Sequence, residues 1–497
     1  MYQKQKQYKN FDTLDMYVWR SSPDKNWSSL STATEGGYAD LKQQLNTLEY
    51  ALTTEFIPFE FLSQQHQLNM GFGYGHYEAS WQRLNSSYQY FVPSKYGTNC
   101  IQKNGKLDTQ CDASYINAQG KQTGQYHSIR VKYNAGEIDV RNDRAFIFLE
   151  DEFSLSSKLQ TRLGIRAEYD SLNSKLNLSP RTLLQYKPFE NNPFKITTGW
   201  NRYYINPLFA YALSDGINQY SIKETRTDIN DNWGNSTAYL SSNIARSQLN
   251  SPFSDESMLA FSGQWRNFYS ELKYVHRDFK DQIKRNRISL SPIIDEYDNS
   301  GKMTAKTYTL NISNLKPYHF LSSQHRFQLA VDYTDKTSNF NDYSDTYNPL
   351  TYQQYIIYNN QIIDEANRPA SNFSRPWTAR LSWDIAFDHL PLKISHFFKL
   401  RSNYDAMVSS TIPSKDRVEG PDGNFIKTRY DATRIGSAFS WDMRTSYDFK
   451  LNQQYSLNLG LTIKNVTNKI NSYTSDNSNV RLPEAGRQFI ADLNFSF

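Results

Sequence analysis

Apolar and polar side chains alternate over ten to twelve residues, again and again along this chain of 497 residues. In 158–169, Leu159, Thr161, Leu163, Ile165, Ala167 and Tyr169 share one parity, and Lys158, Gln160, Arg162, Gly164, Arg166 and Glu168 the other. In 377–387, Trp377, Ala379, Leu381, Trp383, Ile385 and Phe387 oppose Thr378, Arg380, Ser382, Asp384 and Ala386. The same rhythm carries Phe327 to Tyr333, Leu392 to Leu400, Phe439 to Phe449, Tyr455 to Ile463 and, last, Phe489 to Phe497. Neighbouring side chains on a strand point to opposite faces, so each segment reads as a strand with one apolar face. The lengths suit a tilted membrane-crossing strand of about 9–11 residues. Strands of soluble domains average nearer five or six.

The polarity of the whole chain fits that reading. Hydrophobic residues make up only 38% and mean hydropathy is −0.73, yet aromatics reach 15%, with 36 Tyr and 29 Phe. Disordered chains are poor in aromatics. A barrel needs polar groups in its lumen and loops, and aromatic girdles at both interfaces. No run of about 18 apolar residues is present, so no transmembrane helix is expected. Lys and Arg number 55 against 50 Asp and Glu, a net charge of +5. That balance gives no reason to expect nucleic-acid binding, which wants a clustered basic surface.

The expected fold is an all-β, antiparallel transmembrane barrel of about 16 strands. They fall near 10–20, 40–56, 66–82, 142–154, 158–169, 180–187, 193–202, 255–265, 268–281, 304–315, 324–335, 374–387, 392–405, 437–449, 454–465 and 486–497. Short connections lie near 57–65, 155–157, 188–192, 266–267, 316–323, 388–391 and 449–453. Long ones lie near 21–39, 83–141, 170–179, 203–254, 282–303, 335–373, 406–432 and 466–486. Short periplasmic turns and long extracellular loops are the habit of outer-membrane barrels. The parity holds if the C-terminus is periplasmic and 126–135 is an arm within the second long loop, not a spanning strand.

Several stretches resemble the C-terminal barrel of TonB-dependent outer-membrane receptors. They are Phe148-Leu149-Glu150-Asp151-Glu152-Phe153 with Leu159 to Arg166, Leu178-Ser179-Pro180-Arg181 with Thr198 to Tyr204, Lys464-Asn465-Val466-Thr467-Asn468-Lys469, and Gly486-Arg487-Gln488-Phe489 with the terminal Phe497. The resemblance covers about residues 40–497. It implies a transporter in the outer membrane of a Gram-negative bacterium. Its ligand would be an iron source (a siderophore, haem or host iron protein) captured at the extracellular loops. The terminal strand, ending on Phe497, would be the signal read by the barrel-assembly machinery, and lipid would wet the apolar face. Such receptors have 22 strands around a plugged lumen. This chain supplies about 16, begins Met1-Tyr2-Gln3-Lys4 with no apolar signal segment, and shows no plug or energy-coupling box. The expectation is therefore residues 1–497 as the C-terminal part of a receptor barrel. Energised uptake would need a plug before TonB could act on it. A complete 16-stranded diffusion porin and a soluble all-β binding protein are the alternatives.

Motifs of covalent chemistry are missing: there is no G-x-S-x-G, P-loop or H-E-x-x-H, so neither an enzyme nor a cofactor is expected. His76 and His127 are read as surface or lumen histidines in preference to haem ligands. Glu150, Asp151 and Glu152 are read as wall charges. Cys100 and Cys111 lie in a polar segment and suit a local disulfide, with two free thiols as the alternative. Arg202, Tyr203, Tyr204, Phe209 and Tyr211 form the candidate ligand-gathering rim, with girdle and loop packing as the plainer reading.

Overall fold

The computed structural model describes residues 2–27, 31–117, 119–190, 193–205, 208–243, 249–290, 293–339, 346–347, 355–365, 375–452, 454–474 and 481–496. Sixteen strands form one antiparallel meander. They are β1 (Tyr2–Lys9), β2 (Leu41–Glu55), β3 (Gln64–Arg83), β4 (Gly136–Ser156), β5 (Leu159–Asp170), β6 (Lys175–Tyr186), β7 (Lys195–Tyr204) and β8 (Phe253–Trp265). Then follow β9 (Phe268–Leu290), β10 (Ile293–Asn314), β11 (Ser323–Ser338), β12 (Trp377–Phe387), β13 (Leu392–Arg401), β14 (Ala438–Lys450), β15 (Ser456–Lys464) and β16 (Gln488–Ser496). Each pairs with the next, as Tyr2 opposite Leu48 at one edge and Leu457 opposite Phe495 at the other. No register joins β16 to β1 among the described residues. Phe497 lies outside the described residues.

The separate apolar faces of the sequence line up strand by strand. Phe327, Trp383, His396, Met443, Ile463 and Phe489 are consecutive cross-strand partners over six strands. A one-residue slip in any pair would turn that strand's apolar set to the other side. The resulting outer face is bare: Leu52, Phe72, Leu272 and Leu493 are 60, 55, 50 and 65% exposed. An apolar face left this bare is what a strand in a membrane wall presents. Tyr274, Tyr308 and Tyr333, with ring centroids 4.8 and 6.1 Å apart, mark one girdle. Trp383 and Trp441, hydrogen-bonded to His325 and His396 at 3.1 and 3.3 Å, mark the other.

The inner face is polar and internally paired. Arg162 reaches Glu152 at 2.6 Å and Glu150 at 3.7 Å, while Asp151 points the other way, to His66 at 2.7 Å. Arg444 of β14 grips Asp492 of β16 with two bonds of 2.6 and 2.8 Å, across the intervening strand β15. The position between them is Gly460, where a Cβ would come within 2.5 Å of both side chains.

Three expectations need correction. The first strand of the wall is Tyr2–Lys9, not 10–20; Met16–Arg20 is a strand, but of a separate sheet. The connection at 170–179 shrinks to a turn of 171–174, because the polar Lys175 and Asn177 already belong to β6. The segment 282–303 holds no long loop: β9 and β10 continue through it, pairing Lys284 with Asp298 and Asn286 with Glu296. As expected, Ile129–Tyr133 stays out of the barrel wall.

Candidate functional site

All the long connections leave from the end of the wall opposite the short turns, and three of them fold together. The loops 10–40, 84–135 and 205–252 lie side by side in a six-stranded sheet ordered Gly234–Ala238, Ser221–Thr225, Ile129–Tyr133, Ser87–Tyr90, Met16–Arg20, Thr32–Gly36. We call it the cap. Each loop contributes two strands that pair antiparallel with each other, and the loops join where Ile129–Tyr133 pairs with Ser221–Thr225 and Ser87–Tyr90 with Met16–Arg20.

One row of the cap crosses four strands: Tyr17, Tyr90, Arg130 and Glu224 are successive cross-strand partners. Tyr17 and Tyr90 stack with centroids 4.4 Å apart. Arg130 lies 4.1 Å from the Tyr88 ring and 4.4 Å from the Trp233 ring, and its Nε donates to Glu224 at 2.7 Å. Tyr17, Tyr88 and Trp233 remain half-buried, with Tyr90 against the first ring and Arg130 against the other two. The Arg130 side chain is 14% exposed and its Nη1 also donates to the Tyr90 hydroxyl at 3.3 Å, which leaves its remaining N–H groups for oxygen atoms of a partner.

Beneath that row the cap is closed. His127 is fully buried, 4.2 Å from the Trp19 ring, and its Nδ1 faces the Phe91 carbonyl at 2.7 Å. Burial pushes its pKa down to about 4. Gln125 clamps Arg20, accepting from its N–H at 3.2 Å and donating to its carbonyl at 2.9 Å. Cys100 and Cys111 are joined by a disulfide with Cα atoms 5.5 Å apart. The ring it closes holds Asp108, which pairs with Arg226 of the third cap loop at 2.6 Å, both side chains almost wholly buried. Gln102 and Lys103 of the same ring bond to Ile229 and Asn230.

The third cap loop also enters the barrel. Its helix α1 (Leu208–Asn218) packs on the inner wall, Gly216 against Ile138 of β4 and Phe209 edge-on to Tyr77 of β3 at 6.3 Å. A cavity of about 650 Å³ separates the helix from β1 to β3, lined by Gln5, Gln7, Gln43, Leu45, Phe209 and Leu213.

The five candidate rim residues do not come together. Arg202 stands on the outer face, bound to Asp255 at 2.7 and 3.0 Å, and Tyr204 packs beside it on Phe253. Tyr203 faces inward, near Arg181. Phe209 looks into the lumen cavity, and Tyr211 is buried with Leu249, Ile283 and Tyr297. His76 lies on the outer face against Asp143, and His127 is out of reach of any ligand in the mouth. Among the described residues no group of three His, Cys, Asp or Glu converges on a metal position. Tyr17, Tyr88, Arg130 and Trp233 went unnoticed in the sequence. The signal for them was weak: short aromatic-basic strands inside polar loops.

Comparison with known proteins settles the fold. No family model matches the chain. It is 23% identical over 488 residues to the uncharacterized protein YddB of Escherichia coli, covering 97% of this chain and 56% of that one. The crystal structure of the outer membrane transporter YddB superimposes with a TM-score of 0.74 at 20% identity, over 100% of this chain and 59% of that one. The fold is that of an outer-membrane transporter barrel. The siderophore receptor PirA of Acinetobacter baumannii has a TM-score of 0.56 at 15% identity, covering 100% of this chain and 59% of its own. The FrpB iron transporter of Neisseria meningitidis scores 0.53 at 15% identity, over 92% of this chain and 56% of its own. The chain therefore resembles TonB-dependent outer-membrane receptors over its whole length. It spans 56–59% of the length of these transporters.

Proposed function

We propose that the chain is the wall and mouth of a transporter that takes an iron source across the outer membrane: a siderophore complex, haem or a host iron protein. The observation that carries this reading is the cap, a folded sheet over one sector of the mouth that offers Tyr17, Tyr88, Trp233 and Arg130 side by side. Stacked rings with a fixed guanidinium suit a planar, oxygen-rich chelate. No covalent step is needed; the mouth captures and the lumen passes. In this reading residues 1–497 are the C-terminal part of a receptor barrel. Energised uptake, with a plug for TonB to act on, is proposed of the whole transporter and not of these residues alone. The barrel-assembly machinery engages the C-terminal strand, and membrane lipid covers the outer face. A passive 16-stranded porin is disfavoured because β1 and β16 share no hydrogen bonds among the described residues, and open edges are costly in lipid.

The test is saturable quenching of tryptophan fluorescence in the purified protein, titrated with ferric catecholate, hydroxamate and citrate complexes and with haem. Micromolar or tighter binding of one iron complex over its iron-free form supports the reading. Equal indifference to all of them, together with open-channel conductance for small solutes, would sink it.

A further inference from the structure

Two hollows adjoin on the outer, lipid-facing side of the wall, outside both mouth and lumen. The lower, about 460 Å³, lies at the periplasmic rim between Phe189, Phe194, Phe261, Trp265, Leu272 and Leu310. Its floor is the cross-strand pair Gly263 and Ser270, where two strands present almost no side chain between bulky neighbours. The upper, also about 460 Å³, continues along β7 to β9 between Trp200, Leu259 and Tyr274, over Thr198 and Ser257. Their linings are neighbours on the same two strands, Phe261 opposite Leu272 in the lower and Leu259 opposite Tyr274 in the upper. From Trp265 up to Ser257 the strand covers about 26 Å, enough to lay a whole acyl chain along it.

The lower end carries charge. Arg266, in the turn after Trp265, holds its guanidinium 4.9 Å from that ring and forms no ion pair among the described residues. Lys187 stands on the neighbouring turn, two residues before Phe189. Aromatic side chains at a membrane interface mark headgroup depth, and unpaired cations there attract lipid phosphate.

We propose that this groove is a phospholipid site of the periplasmic leaflet. One acyl chain lies from Gly263 up to Ser257, the phosphate sits at Arg266, and Phe189, Phe194 and Trp265 frame the glycerol. The occupant is a phospholipid and not lipopolysaccharide, because the cation and the aromatic frame stand at the short-turn end. A hollow is a place where a fluid neighbour makes fewer contacts unless one chain settles in it; that difference selects a resident lipid from the passing ones.

Native mass spectrometry of the full-length protein, exchanged extensively into detergent and then titrated with phosphatidylglycerol, tests this. Wild type should keep one phospholipid per chain. Ser270→Leu fills the hollow and should lower retention at least tenfold. Arg266→Gln should weaken phosphatidylglycerol binding about tenfold, and Ala379→Leu, on a distant part of the outer face, should match wild type. A folded, heat-modifiable Ser270→Leu that retains lipid like wild type overturns the proposal. So does a wild type that carries lipopolysaccharide or a co-purifying protein at β7–β10. A nitroxide at Ser270→Cys gives a second readout. It should report an immobilised chain-labelled phospholipid, and a spectrum like that of a control site at Ala379→Cys refutes the site.

Discussion

Replacing Asp108 by Asn should loosen the extracellular cap and leave the barrel wall intact. Arg226 and Asp108 are 2 and 3% exposed as side chains and 2.6 Å apart. With the carboxylate gone, Arg226 keeps the His127 carbonyl at 2.8 Å, and the rings of Trp233 and Tyr126 at 4.8 and 5.6 Å. Breaking one partner from a buried pair costs about 3–5 kcal/mol, because the remaining charge stays buried. The retained carbonyl and rings place this case at the lower end, about 3 kcal/mol, or roughly a hundredfold in an opening equilibrium. Hydrogen exchange reads that directly: the amides of Ile129–Tyr133 and Ser221–Thr225 should exchange about a hundredfold faster, and those of β12 to β15 at the wild-type rate. Adding Arg226→Met should restore most of the protection, since an apolar side chain of similar length fits between the same rings. If Asp108→Asn changes cap exchange less than threefold, or if the double variant is looser than the single, the reasoning about this pair is wrong.

Other outcomes follow from single features. The buried imidazole of His127 has its pKa pushed from 6.5 to about 4, so the folded cap disfavours the proton that the unfolded loop takes up. The stabilisation is complete above pH 6.5 and is lost as pH falls from there toward 4, about 3 kcal/mol in all. Cap exchange should therefore accelerate over that window, and His127→Phe should flatten the profile; a flat wild-type profile contradicts the burial argument. Gly460→Val should part Arg444 from Asp492 and lower the temperature at which the band shifts on a heat-modifiability gel. An unchanged shift temperature would show that this strut adds nothing to the wall. Under the proposed function, Trp233→Ala and Arg130→Ala should each weaken binding of the iron complex by about 10–100-fold, or about 1.4–2.8 kcal/mol. Arg202→Ala, on the outer face, should not, and a reversed pattern in titration calorimetry would move the ligand to the other site.

The barrel was legible because lipid imposes one rule on every strand. Leu381, Phe398 and Trp441 each sit in a segment whose parity is visible without knowing its neighbours. Where water replaces lipid the rule lapses, and reading fails there. Tyr2–Lys9 carries Lys4 and Lys6 between Tyr2 and Tyr8 on the outer parity and Gln3, Gln5 and Gln7 on the inner, so no continuous apolar face announces a strand. The outer reaches of β9 and β10 are charged on both sides, Lys284 and Arg285 facing Asp298 and Tyr297, and pass for loop. The cap was invisible for another reason. Its row joins Tyr17 to Tyr90, Arg130 and Glu224, and no local pattern links residues that far apart. Arg202 and Tyr204 were drawn into one rim with Tyr203 because sequence adjacency hides the fact that they stand on the other side of the wall from it.

The side-by-side pairing of the three cap loops bears on how the outward-facing surface can vary. Exposed loops of a membrane barrel are ordinarily free to drift one at a time under pressure from antibodies, phages or toxins. Here a change in Met16–Arg20 is felt at Ser87–Tyr90, and a change in Ser221–Thr225 at Ile129–Tyr133. Three separate stretches of the sequence are tied to one sheet, so lineages should exchange them as a set. A chimera carrying one foreign loop of the three would be expected to lose the pairing at that loop's borders and to keep the strand pair within each loop.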